Sequence, residues 1–376
     1  MRIQLAEDFD EKRTVIKVVG VGGAGCNAIN RMVEAGLAGT ELIAANSDAQ
    51  VLRKCQAHVC IQLGEQSARG LGVGGDSAKG RAAALESEGQ LREVLQGADM
   101  VFVTTGMGGG TGTGGAPVVA RLAKELGALT VGIVTKPFDF EGLRRTTIAE
   151  QGIQEMRQSV DTLLVIPNQR LFDVIDADSS HESAFRLADD VLRKSVQSIS
   201  DLITVPGLIN LDMMDLRAVM KDAGEALIGI GEASGPGRAL SAAREAMSSP
   251  LLENVVIDGA KGLIVNIAGR QATLKTAEIE EIVATIQGTA SPEVNFKMGN
   301  VYNESLGDAI RVTVIATGFP SKRTRGIMRS GGRSQIGRAS PADAAEPSDA
   351  QLLKNLNETD RWTKPAYLRM KVRKLR

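Results

Sequence analysis

The sequence is short of long apolar runs. Its only uncharged stretch of membrane-spanning length, residues 100–120, is about half glycine and threonine, a composition that argues against a membrane helix. The first residues, MRIQLAEDFDEKR, lack the apolar segment of a secretory signal. With 376 residues, 43% of them hydrophobic, the chain can form two domains with their own cores plus extra length. We therefore expect a soluble, cytoplasmic protein.

Cysteine and histidine are scarce as well. The three cysteines, Cys26, Cys55 and Cys60, are odd in number and have no CxxC spacing, which favours reduced thiols over a disulfide framework. Cys55, His58 and Cys60 resemble zinc ligands in spacing, but a fourth ligand is missing nearby and the only other histidine is His181. We expect no metal held by protein side chains alone, and no Ser-His-Asp hydrolase site.

Charge is unevenly distributed. Residues 321–376 carry 14 Lys and Arg against 5 Asp and Glu, whereas the rest of the chain is acidic by about ten charges. An acidic body is a poor partner for nucleic acid, but the basic tail suits acidic protein faces or anionic lipid.

Up to about residue 360 the tail is rich in Ser, Gly, Arg, Ala and Pro, which predicts a disordered linker. Apolar and aromatic residues return in DRWTKPAYLR (360–369), as in a peptide that folds onto a partner.

A glycine-rich loop is the strongest local signal. Residues 108–114 read GGGTGTG and follow the apolar run 100–103, so backbone N–H groups can crowd around phosphate oxygens. Thr111 and Thr113 add hydroxyl donors, and the amphipathic segment after them predicts a helix whose positive end faces the phosphates. No lysine follows Gly114, so this is not a common P-loop. We therefore expect a nucleotide ligand whose phosphate charge is balanced by backbone N–H groups, by hydroxyls and by a magnesium ion carried by the phosphates.

The first half of the chain alternates short apolar runs with helical patterns, which predicts a parallel sheet with helices on both faces. The predicted strands are Val15–Val19, Leu42–Ala45, Met100–Thr104, Thr130–Val134 and Thr162–Ile166. Ligands of such sheets bind at the carboxyl ends of the strands. The glycine loops at 20–25, 70–75 and 106–115 should converge there on one pocket.

The second half predicts one long helix followed by a mixed sheet. Apolar residues recur every three or four positions over 182–203, at Phe185, Ala188, Leu192, Val196, Ile199 and Leu202. Beyond Asp215 the pattern predicts strands at 262–267 and 309–316, and helices at 217–228, 237–247 and 277–287. This core should end near Gly318.

Two further motifs have more than one interpretation. GVGGAG (20–25) follows a strand and matches GxGxxG, and with Asn46 and Asp48 near the position of a ribose-binding acid it suggests an NAD-dependent oxidoreductase. A second, richer phosphate loop in the same domain argues against that. Asp212 and Asp215 follow Pro206-Gly207 and precede a helix, so they suit either helix capping or the orientation of a hydrolytic water.

Seven motifs follow one another between Thr14 and about Phe319. They are GVGGAGCNAIN (20–30), NSDAQ (46–50), RGLGVGGD (69–76), GGGTGTG (108–114), KPFDFEGLRR (136–145), IPNQRL (166–171) and GLINLDMMD (207–215). This set resembles that of the FtsZ family, the bacterial tubulin homologues. The resemblance implies an α/β, tubulin-like GTPase: a Rossmann-like, parallel-sheet nucleotide-binding domain joined by a long central helix to a smaller mixed-sheet domain.

The resemblance also implies a role for individual residues. Phosphates would be held by Gly22, Gly23, Gly108, Gly109, Gly110, Thr111, Gly112 and Thr113. Glu141 and Arg145 would contact the ribose and its surroundings. Guanine would be bound by Asn27, Asn168, Phe185 and Asp189, Phe185 by stacking and Asp189 by accepting from the N–H edge. An Asp partner disfavours adenine, so the expected ligands are GTP and GDP with Mg²⁺ carried by the nucleotide.

By the same resemblance, Asn210, Asp212 and Asp215 would act on the GTP of the neighbouring subunit, in a head-to-tail filament that forms the division ring. The protein would lie at mid-cell on the inner face of the membrane, held indirectly by an FtsA-like tether and other division proteins. An oxidoreductase, or a nucleotide-binding filament scaffold without hydrolysis, remains the alternative. The implied segments are a disordered extension (1–13), a GTP-binding domain (14–181), a central helix (182–203), a mixed α/β domain (204–319), a disordered linker (320–359) and a partner-binding peptide with a basic end (360–376).

Overall fold

In the computed structural model, which describes residues 14–173, 180–252 and 259–319, strands and helices alternate along the first half of the chain. The strands are β1 Ile16–Val21, β2 Thr40–Asn46, β3 Val59–Gln62, β4 Met100–Gly106, β5 Leu129–Lys136 and β6 Thr162–Pro167. The helices are α1 Gly22–Glu34, α2 Ala49–Arg53, α3 Ser77–Glu86, α4 Glu88–Leu95, α5 Thr111–Glu125 and α6 Leu143–Ser159. These strands pair in parallel in the order β3-β2-β1-β4-β5-β6. The five predicted strands are confirmed, and β3, only four residues long, was missed.

The central strands are largely apolar because helices cover both faces of the sheet. Val18 and Phe102 point to one face and pack in a cluster with side chains of α1 and of the long helix described below. Val19 and Val103 point to the other face and pack with side chains of α3, α4, α5 and α6. Burial on both faces explains why the runs show little alternation in the sequence.

The second half adds a mixed set of strands to the same sheet. They are β7 Gly224–Ala233, β8 Gly262–Gly269, β9 Asn295–Tyr302 and β10 Ile310–Thr317. Strand β10 pairs antiparallel with β7 and β8, and β9 pairs parallel with β8. The sequence predicts a second sheet, but residues 162–164 of β6 pair with 224–226 of β7, so the described strands form a single ten-stranded sheet.

The predicted helix 217–228 is wrong in its second half. Helix α8 spans Met213–Met220 and ends there, and residues 224–228 belong to β7. The break comes from Asp222 and Gly224, which have φ of 51° and 74°, values that an α-helix cannot contain. The other two predicted helices are confirmed as α9 Arg238–Met247 and α10 Thr276–Gln287.

The long helix α7 spans His181–Thr204 and matches the predicted 182–203 to within one residue at each end. Its 24 residues make it about 36 Å long. Five of the six predicted core positions are buried: Ala188, Leu192, Val196, Ile199 and Leu202. The exception is Phe185, which is 41% exposed.

The parallel strands give the sheet two different edges, a carboxyl edge where they end and an amino edge where they begin. The C-terminal end of α7 lies at the amino edge, because Thr204 packs against Gly39, just before β2. Helix α8 lies there too. Arg217 donates hydrogen bonds to the carbonyl oxygens of Asp99 and Gly127, each 3.2 Å away and each just before β4 or β5.

The predicted domain boundaries stay predictions. The predicted N-terminal extension (1–13), linker (320–359) and partner-binding peptide (360–376) lie outside the described residues.

Candidate nucleotide site

A cleft opens at the carboxyl edge of the sheet. Val21, Gly106 and Thr135, at or near the ends of β1, β4 and β5, line it together with Asn168 after β6 and with residues of α7. It encloses about 800 Å³, open space at its mouth included. A cleft of this size, at this edge of an open α/β sheet, suits a small-molecule ligand such as a nucleotide.

Two helices begin at the cleft. Helix α1 starts at Gly22, directly after β1, and α5 starts at Thr111, after the glycine loop. Neither helix has an acidic residue in its first turn or a side chain that caps its first N–H groups. Both helices therefore bring free N–H donors and the positive end of a helix dipole to the site, which favours an anionic ligand.

The glycines of the two loops serve two purposes. Gly22 has φ of 73°, and a methyl group there would lie 2.8 Å from the Gly112 nitrogen, so the loops pack backbone against backbone. A methyl group at Gly23 or Gly109 would meet no atom within 4 Å. These two glycines leave open space beside the helix N-termini, of the kind that phosphate oxygens would fill.

Most of the predicted ligand residues line the cleft. They are Gly23, Gly109, Gly110, Thr111, Gly112, Glu141, Arg145, Asn168, Phe185 and Asp189. The predicted residues outside the lining are Gly22, Asn27, Gly108 and Thr113. Gly108 donates its N–H to Thr113 Oγ1 (2.9 Å), so these two fix the shape of the loop, while Asn27 is exposed on α1.

Side-chain contacts fix some of the residues predicted to bind phosphate and ribose. Thr111 Oγ1 lies 2.5 Å from the hydroxyl of Ser47, a buried residue after β2 that has no predicted role. Glu141 accepts the Phe138 N–H through Oε1 (2.8 Å) and pairs with Arg145 one turn later in the chain. Three of the polar side chains that line the cleft, Thr111, Glu141 and Arg145, are thus already oriented by protein contacts.

Four of the eight phenylalanines of the chain form a cluster at the cleft. The Phe138 ring lies 5.1 Å from Phe140 and from Phe172, and 5.3 Å from Phe185. Of these four rings only Phe185 lines the cleft, so the cluster supports a ring against which a flat base can pack. Only Phe185 was predicted, although Phe138 and Phe140 lie within the motif KPFDFEGLRR.

Two acceptors lie along the cleft wall. The Oδ1 atom of Asn168 is buried and receives no hydrogen bond from the residues that the structure describes. Burial raises the pKa of Asp189 to about 7, with the charge of Arg31 opposing the shift. A guanine base, which presents adjacent N–H donors, could satisfy both acceptors, so the residues present fit this base.

The two residues that suggested a dinucleotide-binding site, Asn46 and Asp48, make structural contacts instead. Asp48 caps α2 and accepts the N–H groups of Gln50 and Val51, so its carboxylate is committed to the helix and does not line the cleft. Asn46 is buried and its amide lies 3.7 Å from the Cys26 sulfur. The acid required to bind a ribose in the oxidoreductase interpretation is therefore not at the cleft.

The three residues predicted to act on the GTP of a neighbouring subunit lie away from the cleft, at the amino edge. Asn210 accepts the Gly207 N–H (2.8 Å), and Asp212 caps α8 by accepting the N–H of Asp215 (2.7 Å). Asp215 also pairs with Lys297 at 2.6 Å, and the ammonium group holds the pKa of this carboxyl below its usual value. Residues 210–215 thus cap helix α8 and also present an exposed acidic surface.

His58, whose spacing from two cysteines resembles that of zinc ligands, has a structural role. His58 Nδ1 accepts the N–H of Leu42 (3.0 Å). In the parts of the chain that the structure describes, no three His, Cys, Asp or Glu side chains are arranged to hold a metal ion. No helix in those parts is both long enough and apolar enough to span a bilayer.

Comparison with known proteins agrees with this architecture. Residues 15–176 match the model of the tubulin/FtsZ family GTPase domain, and residues 224–320 match that of the FtsZ family C-terminal domain. The structure is similar to an FtsZ dimer, empty, from M. jannaschii, with a TM-score of 0.79 and 43% identity over 82% of this chain and 89% of that one. It also resembles CetZ2 from Haloferax volcanii, a GTPgS-bound protofilament, with a TM-score of 0.69 and 21% identity over 82% of this chain and 94% of that one. Both family models match in order, and an FtsZ is 43% identical to this chain over 82% of its length, so the chain belongs to the tubulin/FtsZ family of GTPases, on its FtsZ branch.

Proposed function

We propose that the chain hydrolyses GTP in head-to-tail filaments, at sites made by two subunits. The cleft of one subunit binds GTP, and Asn210, Asp212 and Asp215 of the next subunit complete the site. One observation carries this proposal: the cleft lies at the carboxyl edge and the acids at the amino edge. Because β4 has seven residues, these edges are roughly 23 Å apart, too far for a subunit to hydrolyse its own nucleotide.

Exposed apolar side chains at both edges support assembly. Leu71 and Leu143, near the cleft, are 83% and 86% exposed, and Leu208 and Met214, near the acids, are 65% and 70% exposed. Large apolar side chains in such patches are typical of contact surfaces. Since the two patches differ, a contact between them is heterologous, and a heterologous contact that does not close into a ring gives a filament. The related M. jannaschii FtsZ is described as a dimer.

The chemistry follows from the groups at the two edges. The N–H donors of α1 and α5 and the Thr111 hydroxyl hold the phosphates, and Asn168 and Asp189 accept from the guanine N–H groups. Mg²⁺, carried by the nucleotide, neutralises charge on the phosphates when it is bound. Asp212 and Asp215 orient and polarise the water that attacks the γ-phosphate. Hydrolysis removes a group from the subunit contact and so weakens the filament.

In the cell, these filaments would form the bacterial division ring, in the cytoplasm at mid-cell on the inner face of the membrane. Residues 360–376, with their apolar cluster and basic end, would bind an FtsA-like membrane tether and other division proteins. The family supports this role, and the composition of the tail supports the site of attachment.

Phosphate release measured against protein concentration tests the proposal, with light scattering followed in the same samples. We expect hydrolysis and scattering to appear together above one critical concentration. Activity strictly proportional to protein would mean that each subunit carries a complete site. Assembly on GTP without phosphate release would support the scaffold without hydrolysis instead.

A further inference from the structure

The segment that carries the acids is fixed along one strand. Strand β9 is at the end of the described sheet, and residues 207–210 lie along its free side. Asn300 donates its backbone N–H to the Ile209 oxygen (2.9 Å) and accepts the Ile209 N–H through its side chain (2.6 Å). Gly207 packs so closely on Asn300 that a methyl group would lie 1.7 Å from its carbonyl oxygen. One end of the segment therefore cannot shift relative to β9.

Lys297, three residues earlier on β9, fixes the other end. Phe296 and Met298 pack into the apolar cluster formed with α9 and α10, so the strand alternation turns Lys297 toward the opposite face. There its Nζ atom donates to Asp215 Oδ1 at 2.6 Å. Asp215 in turn donates its N–H to Asp212, so one chain of contacts links the lysine to both acids.

This ion pair contributes little to the stability of the fold. Its side chains are 31% and 33% exposed, and ion pairs with that access to solvent are screened by water and add little to stability. The pair has a larger effect on the orientation of the Asp215 carboxylate, because a charge-assisted hydrogen bond restricts the rotamer of that side chain. A positive charge at this edge also offsets the repulsion between two carboxylates and an approaching triphosphate.

We propose that Lys297 is a positioning residue, which aims the Asp215 carboxylate of one subunit at the GTP bound by the next. The inference rests on the proposed function. A misaligned acid slows the chemical step but leaves both nucleotide binding and the apolar contact intact.

Three variants of the full chain test this: Lys297→Met, Lys297→Arg and, as a matched control, Lys221→Met. Lys221 is an exposed lysine at the other end of α8, so its loss removes the same charge without touching the contact to Asp215. We expect kcat per assembled subunit to fall about 10- to 100-fold in Lys297→Met and to recover largely in Lys297→Arg. Lys221→Met should stay within twofold of the unchanged protein.

Two further readouts separate positioning from a structural role. The affinity of the unassembled protein for GDP, and the critical concentration with a non-hydrolysable GTP analogue, should be the same in Lys297→Met as in the unchanged protein. Loss of assembly with the analogue, full kcat in Lys297→Met, or an equal defect in Lys297→Arg would each overturn the inference. If the unchanged protein shows no critical concentration for hydrolysis, the shared site itself fails.

Discussion

The affinity for guanine nucleotides should fall as the pH drops below 7. Asp189 lines the cleft, and burial raises its pKa to about 7. Only the ionised carboxylate can accept both N–H groups of the guanine edge, because the protonated acid carries a donor of its own. Binding therefore has to be accompanied by loss of the Asp189 proton whenever the pH is near or below this pKa.

The size of the effect follows from that pKa. With a pKa of about 7, roughly one tenth of the Asp189 carboxyls are ionised at pH 6 and one hundredth at pH 5. Relative to its plateau well above pH 7, the dissociation constant should thus be about tenfold higher at pH 6 and about a hundredfold higher at pH 5, and each tenfold step corresponds to about 1.4 kcal/mol. The sign is fixed: the bound base stabilises the carboxylate and lowers its pKa, so affinity rises with pH up to about 7 and is flat above it.

The assay is equilibrium binding of GDP between pH 5.5 and 8, at a protein concentration below that of assembly. The phosphates of GDP titrate too, near pH 6, so the matched control is Asp189→Asn, which keeps the size of the side chain but cannot ionise. This variant should bind GDP weakly and show only the phosphate titration. If the unchanged protein and Asp189→Asn have the same pH dependence, Asp189 does not accept from the base.

Three further predictions concern the glycine loop, the shared site and the tail. Gly112→Ala should lower the melting temperature, because its methyl group would lie 2.2 Å from Thr105 Oγ1, whereas Gly109→Ala meets only open space and should weaken GDP binding with little change in melting temperature. Asp212→Asn keeps the helix cap and should bind GTP without hydrolysing it; mixed 1:1 with Gly109→Ala, it should recover up to about a quarter of full activity, because half the clefts and half the acid segments remain intact. A mixture as inactive as its components would contradict the shared site. Removal of residues 361–376 should leave assembly intact and abolish capture by a membrane tether, and unchanged capture would exclude this segment as the attachment point.

Much of the fold could be predicted because its signals are local. Buried parallel strands appear as apolar runs, and α7 shows its helical period over 24 residues. The predicted helix 217–228 failed where a non-glycine residue, Asp222, adopts a left-handed conformation that composition does not reveal. Strand β3 was missed because four residues are too few to show a period.

The candidate site, like the fold, could be predicted only where its signals are local in the sequence. The glycine loop could be predicted because its residues are consecutive and only glycine permits such close backbone packing. The phenylalanine cluster could not, since its members come from three separate segments and no spacing connects them. The pairing of Asp215 with Lys297 joins residues 82 positions apart and depends on the place of β9 at the end of the sheet.

Helix α7 makes the cleft and the acids a single mechanical unit. Its first turns supply Phe185 and Asp189 to the cleft, and its last residue, Thr204, lies at the amino edge just before the acid segment. Between these ends the helix is continuous for about 36 Å and buried along one face, so it cannot bend to bring the acids to the nucleotide of the same subunit. A subunit that binds GTP alone should therefore hold it without hydrolysis, and contact with the next subunit should be the event that starts the reaction.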